Sequence, residues 1–203
     1  MAYSDFSLDD LESKFGVTNH KKRLFPTTVK SIPLSRRLKE DLIEAQELPV
    51  RSEKAKSEWI VVPILRELRR KNNKFFTIHS GENLTGDDTM GLKGECDFII
   101  AKDIGSVALN FPIFHIVEAK KNDIEIGVPQ CAAQLIGAQK FNARKGIKMD
   151  VLYGCVTTAN DWVFLKLENQ VLWVDTELYY FNKISEILGI FQIIIDEYKE
   201  KLK

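Results

Sequence analysis

The chain has 203 residues, 29 of them basic and 29 acidic, so its formal net charge is zero. That length suits one sizeable core with an added arm, and the balance excludes a generally basic surface while leaving room for a local basic cleft. Three cysteines, Cys96, Cys131 and Cys155, stand far apart without a CxxC pair, which argues against zinc and for a reducing compartment.

The opening "MAYSDFSLDDLESKFG" is acidic and lacks an apolar signal core. Ser7 and Asp10 mark a helix start, and a short helix runs to about Phe15. Residues 16–34 read as irregular. "LSRRLKEDLIEAQEL" predicts a helix with Leu38, Leu42 and Ala45 on one face. "SEKAKSEWIVVPILRELRRKNN" predicts a longer one, kinked or delayed at Pro63, which has no amide for the carbonyl of Trp59. Strands follow: "KFFTIHS", then, after a long loop at 81–94, "ECDFIIAK" and "IFHIVEAK". A helix spans about 128–144. Three more strands are "DVLYGCVTT", "DWVFLKLE" and "VLWVDT", the last two in a hairpin. The final helix starts near Lys183; its "ILGIFQIIIDEY" is too short and too interrupted to span a bilayer. The order predicts an α/β fold, a mixed sheet covered by helices, in a soluble, cytoplasmic protein.

Charges inside the central strands are the anomaly. Asp97 interrupts one apolar run, and Glu118 and Lys120 interrupt the next. Unpaired buried charge is costly. Glu118 and Lys120 share a strand face, and a hairpin between the two runs would bring Asp97 beside Glu118. Two such carboxylates repel unless a hard cation, magnesium or manganese, lies between them. Glu-x-Lys occurs three times, at 12–14, 118–120 and 197–199, but only the middle copy ends an apolar strand. The competing arrangement is a plain ion pair, Asp97 with Lys120.

These residues resemble the PD-(D/E)xK nuclease superfamily, over roughly residues 52–175, with Cys96 where the motif has proline and Glu118-Ala119-Lys120 intact. The resemblance implies a restriction-endonuclease-like domain at 51–203, preceded by an N-terminal helical extension at 1–50. It implies a magnesium- or manganese-dependent nuclease, an endonuclease acting on nucleic acid, with DNA the expected substrate. Asp97, Glu118 and the carbonyl of Ala119 would hold the metal, and Lys120 would position water. Glu58, on the preceding helix, would assist the metal. Gln134, and second to it Gln130, would reach the site from the following helix, whose small Ala133, Gly137 and Ala138 permit a close approach to the sheet. The alternative is an inactive module that binds nucleic acid or a protein partner. Residues 1–50 are candidates for DNA recognition or for a homodimer contact.

The remaining polar features suggest other roles. His20, His79 and His115 are scattered, and His115 faces away from Lys120. No nucleophile elbow or phosphate loop is present. The 81–94 loop is placed to flank a cleft, with Asp87 and Asp88 in turn roles. Basic residues cluster at 20–23, 36–39, 66–74 and 140–148, each a candidate DNA contact. Trp59, Trp162 and Trp173 read as core.

Overall fold

The apolar runs between Phe76 and Asp175, apart from the one in the long helix over 124–144, become strands of one sheet. The computed structural model describes residues 2–202. Its strands are β1 (Thr18–Lys22), β2 (Phe76–Asp87), β3 (Leu92–Lys102), β4 (Ile113–Ala119), β5 (Val151–Thr157), β6 (Asp161–Glu168), β7 (Val171–Asp175) and β8 (Tyr179–Tyr180). Their order is β1-β7-β6-β5-β4-β3-β2, with β8 beside β6. The β1/β7 and β4/β5 pairs are parallel and the others antiparallel. The helices are α1 (Leu8–Phe15), α2 (Arg36–Glu47), α3 (Glu53–Lys56), α4 (Val62–Lys71), α5 (Ile124–Arg144) and α6 (Ile184–Lys201). This is the α/β class with a mixed sheet between helices.

α5 covers one face of the sheet, and small side chains set its depth. Cys131, Ala132, Ala133, Gly137 and Ala138 are all buried there. A Cβ on Gly86 of β2 would lie 2.3 Å from the Cα of Gly137, and one on Gly137 would lie 2.0 Å from the Tyr3 hydroxyl. That hydroxyl donates to the Leu92 carbonyl at 3.1 Å. The other face carries α6, whose Phe191 packs on His115, Trp162 and Phe164. α2 is tied to α4 through Glu67, which accepts from the Ser35 amide and hydroxyl at 3.1 and 2.8 Å.

Four expectations change. Residues 16–34 are not wholly irregular, since Thr18–Lys22 joins β7 at the sheet edge. The N-terminal segment is therefore part of the sheet as well as helical. Most of the 81–94 loop is strand: β2 runs on to Asp87, and Glu82 to Thr85 pair with Cys96 to Lys93. Its glycines and polar residues suit an exposed edge as well as a loop. Asp87 does serve the turn, accepting from the Thr89 hydroxyl and the Met90 amide. α5 starts at Ile124, earlier than its apolar pattern, because Asp123 caps it and Pro129 is accommodated in its second turn. Of the tryptophans, Trp162 is buried, Trp173 is half-buried and Trp59 is 41% exposed.

Pro63 has the expected disruptive effect in a specific form. The helix is continuous from Glu53 to Lys71, but Ser57–Val61 forms a π-turn in which the Val62 amide donates to the Ser57 carbonyl. The wider turn absorbs the proline that an α-helical ladder could not accept.

His115 lies in the core, 1% exposed, and neither ring nitrogen has a partner among the described residues. Burial holds its pKa down to about 3. The unfolded chain therefore binds a proton that the folded chain refuses. Stability from the neutral ring is complete above about 6.5 and is lost as pH falls towards 3, by about 1.4 kcal/mol per pH unit. We expect His115→Phe to flatten this part of the pH profile of urea midpoints; an unchanged slope would remove the ring as its cause. Gly86→Ala should cost about 1–3 kcal/mol in the same assay, because its methyl overlaps the backbone of α5.

Candidate active site

The β3/β4 ladder pairs Phe98 with Val117. One step further along that register, Asp97 stands across from Glu118. The Ala119 amide donates to Asp97 Oδ2 at 2.7 Å. Lys120 Nζ donates to Glu118 Oε1 at 2.6 Å and to Gln130 Oε1 at 3.0 Å. Gln134 Nε2 donates to Glu118 Oε2 at 2.8 Å. The strand charges and the two glutamines thus form one connected set. Gln130 and Gln134, four residues apart on α5, each clamp one half of Glu-x-Lys. The Lys120 amide donates to the Thr157 carbonyl of β5 at 2.8 Å, which fixes the backbone at the strand end. Gly127 lets α5 pass over Lys120, since a Cβ there would lie 3.1 Å from Lys120 Cγ.

Burial dominates the electrostatics. Glu118 and Gln134 are buried, and Asp97 and Lys120 are partly so. Burial, then the charge of Asp97, pushes Glu118 up to about 7 against the pull of Lys120. Burial also raises Asp97, opposed by the Ala119 amide and Lys120 and reinforced by Glu53 and Glu95. Burial alone would lower the Lys120 amine, but Glu118, Glu53 and Asp97 hold it above its usual range. The ion pair actually made is Lys120 with Glu118, whereas Asp97 turns to a backbone amide.

Glu58 is not part of this set. Its side chain is 57% exposed and lies 3.9 Å from Lys54 Nζ. Counting back from Leu65 and Val61 in α-helical steps puts Glu58 on the buried stripe, but the π-turn advances each residue by a smaller angle and breaks that count. The acid whose charge reaches Asp97 and Lys120 from this helix is Glu53. Its only sequence signal is its place in the first turn after the Ser52 cap, where acids are common for another reason. Nearby, Lys56 donates to the Lys121 carbonyl and ties α3 to the segment beyond β4.

The basic clusters read from the sequence are partly committed elsewhere. Arg69 pairs with Asp103, and Arg70 and Lys71 with Glu67. Lys140 pairs with Asp87, and Arg144 donates to the Thr85 and Gly86 carbonyls. Arg36 pairs with Glu40, and Arg23 with Glu177. Among the described residues Arg51 and Lys121, close in sequence to Glu53 and Lys120, are exposed and make no ion pair.

A cation must be judged against these donors. Among the described residues no three His, Cys, Asp or Glu side chains converge as a ready-made cage. Magnesium is commonly held by one or two carboxylates, with water and substrate phosphate completing its shell. Asp97 and Glu118 suit that mode: burial, and for Glu118 the charge of Asp97, makes both resist ionisation, and a bound cation would favour their charged forms. Gln134 Oε1 adds a buried oxygen with no partner among the described residues.

The raised acids give a stability test. A carboxyl raised on folding destabilises the fold progressively as pH climbs from its unfolded pKa through the folded one. Asp97→Asn keeps an acceptor for Ala119 and removes that penalty, so in EDTA at pH 8 its urea midpoint should equal or exceed that of the parent. A fall of about 3 kcal/mol or more would mark Asp97 as half of a structural ion pair.

No helix among the described residues is long and apolar enough to cross a membrane. No protein-family model matches the chain, and a search of curated proteins finds no relative.

Proposed function

We propose that this chain is a metal-dependent nuclease with a restriction-endonuclease-like fold that hydrolyses phosphodiester bonds, with DNA as substrate. The observation that carries the reading is the meeting, at one strand end, of two ionisation-resistant carboxylates and the Lys120 amine. Two acids this close each disfavour the other's ionisation, and perturbed groups of this kind cluster at functional sites.

Asp97 and Glu118 are the residues that would hold magnesium or manganese, with the Ala119 carbonyl a third candidate. When bound, the ion supplies Lewis-acid polarisation of a phosphoryl oxygen and a water that ionises near neutral pH. The protein's own groups do the rest. The Ala119 amide fixes the Asp97 carboxylate, and Gln134 fixes that of Glu118. Lys120, steadied by Gln130, orients the attacking water and offsets negative charge that gathers on the phosphate. Glu53 adds negative potential that keeps the amine protonated. The exposed Arg51 and Lys121 would meet the phosphate backbone.

Lys120→Ala should stay folded, at some cost in stability because Glu118 keeps only its Gln134 donor, yet nick plasmid DNA about a hundredfold more slowly, or worse, with Mg²⁺ or Mn²⁺ present. Full retained activity would remove Lys120 from the mechanism. Glu53→Gln should slow nicking by about tenfold, and Glu58→Gln should leave it unchanged.

One observation favours a second reading, a nuclease-like module that binds without cutting. Both Glu118 oxygens are already bonded, and Asp97 has a backbone partner. Calorimetry separates the two. Divalent binding at millimolar concentration that vanishes in Asp97→Asn supports the enzyme, and its absence in the parent chain supports the module.

A further inference from the structure

The same face of the sheet carries a cleft of about 740 Å³ beside the first turns of α5. Registers locate it. Glu118 pairs with Val156, and Val156 with Val163, which lines the cleft. Two strand spacings separate Glu118 from Val163, about 10 Å. A Cβ on Gly127 would touch both Val156 and Lys120, so the acid site and the cleft flank the same turn of α5.

The lining has two characters. Val128, Pro129, Val163 and Val174 form apolar walls. Asn19, Lys21, Thr176 and Glu125 stand around them, and among the described residues none of these four side chains makes a hydrogen bond or ion pair. A larger cavity of about 960 Å³ lies further along α5, but its lysines are spent: Lys140 on Asp87 and Lys148 on Asp150. The smaller cleft combines an apolar slot with uncommitted polar groups, and it lies beside the acid site along the same turn of α5.

We propose that this cleft holds one nucleotide of the substrate strand, and this rests on the nuclease reading. The base lies between the valine walls. The Asn19 amide both donates and accepts, which matches a base edge, and Glu125 accepts from an exocyclic amine. Lys21 meets the phosphate. A wholly apolar occupant would bury Asn19 and Thr176 without partners. Entry requires an unstacked base, so the preferred substrate is single-stranded or frayed next to the cleavage point, not intact duplex.

The test is an NMR titration of the full chain in EDTA, where no cutting occurs. A nucleoside 5′-monophosphate should shift the Asn19 side-chain amide and the Val163 and Val174 methyls in a saturable way. Asn19→Ala should weaken this by about tenfold, and Val174→Trp, which fills the slot, should abolish it. No shift at millimolar nucleotide, or shifts indifferent to Asn19→Ala, overturns the site. A short single-stranded oligonucleotide should bind more tightly than the mononucleotide and lose that gain in Lys120→Ala. If it binds no better, the cleft serves free nucleotides and the substrate-strand assignment fails. Saturable binding in a chain that never nicks DNA would sink the nuclease reading and leave the nucleotide site standing.

Discussion

A carboxylate buried between a helix and a sheet is the constraint around which this molecule is arranged. Glu118 cannot sit there alone. Its two oxygens demand donors, and Lys120 and Gln134 provide them from the same strand and from α5. For Gln134 to reach, α5 must lie close to the sheet, and the run of Ala and Gly along its inner face follows from that demand. The close contact of Gly86 with Gly137, about one turn beyond Gln134, holds the middle of the same helix at the same depth.

This arrangement is satisfied but not relaxed. Lys120 neutralises one acid, yet Asp97 stays near enough to push Glu118 upwards. A fold optimised only for stability would lose one of the two acids at little cost, since apolar replacements for buried charge are commonly neutral or better. Keeping both makes sense where a cation or a phosphate is to be met, and that is the physical weight behind the proposed activity.

Much of this was legible in the residues. Asp97, Glu118 and Lys120 announced themselves as charges in apolar runs, and Gln130 and Gln134 by their four-residue spacing beside small side chains. Glu53 was not legible, because helical counting presumes one period and the π-turn before Pro63 breaks it. β1 was missed because "TNHKK" is polar, and only its place at a sheet edge makes it a strand. The tip of the long β2/β3 hairpin reads as a loop because glycine carries two meanings, a turn or a close backbone approach. In each case the failure lay in tertiary context that short-range pattern does not contain.

The edge strand has a consequence for how the chain comes together. Thr18 finds its ladder partner in Val171, and Tyr3 its acceptor in Leu92. On a ribosome Thr18–Lys22 is made well before Val171–Asp175, so this edge strand has no ladder partner until β7 has followed. The polar, lysine-bearing sequence of β1 keeps that waiting strand from pairing with its neighbours.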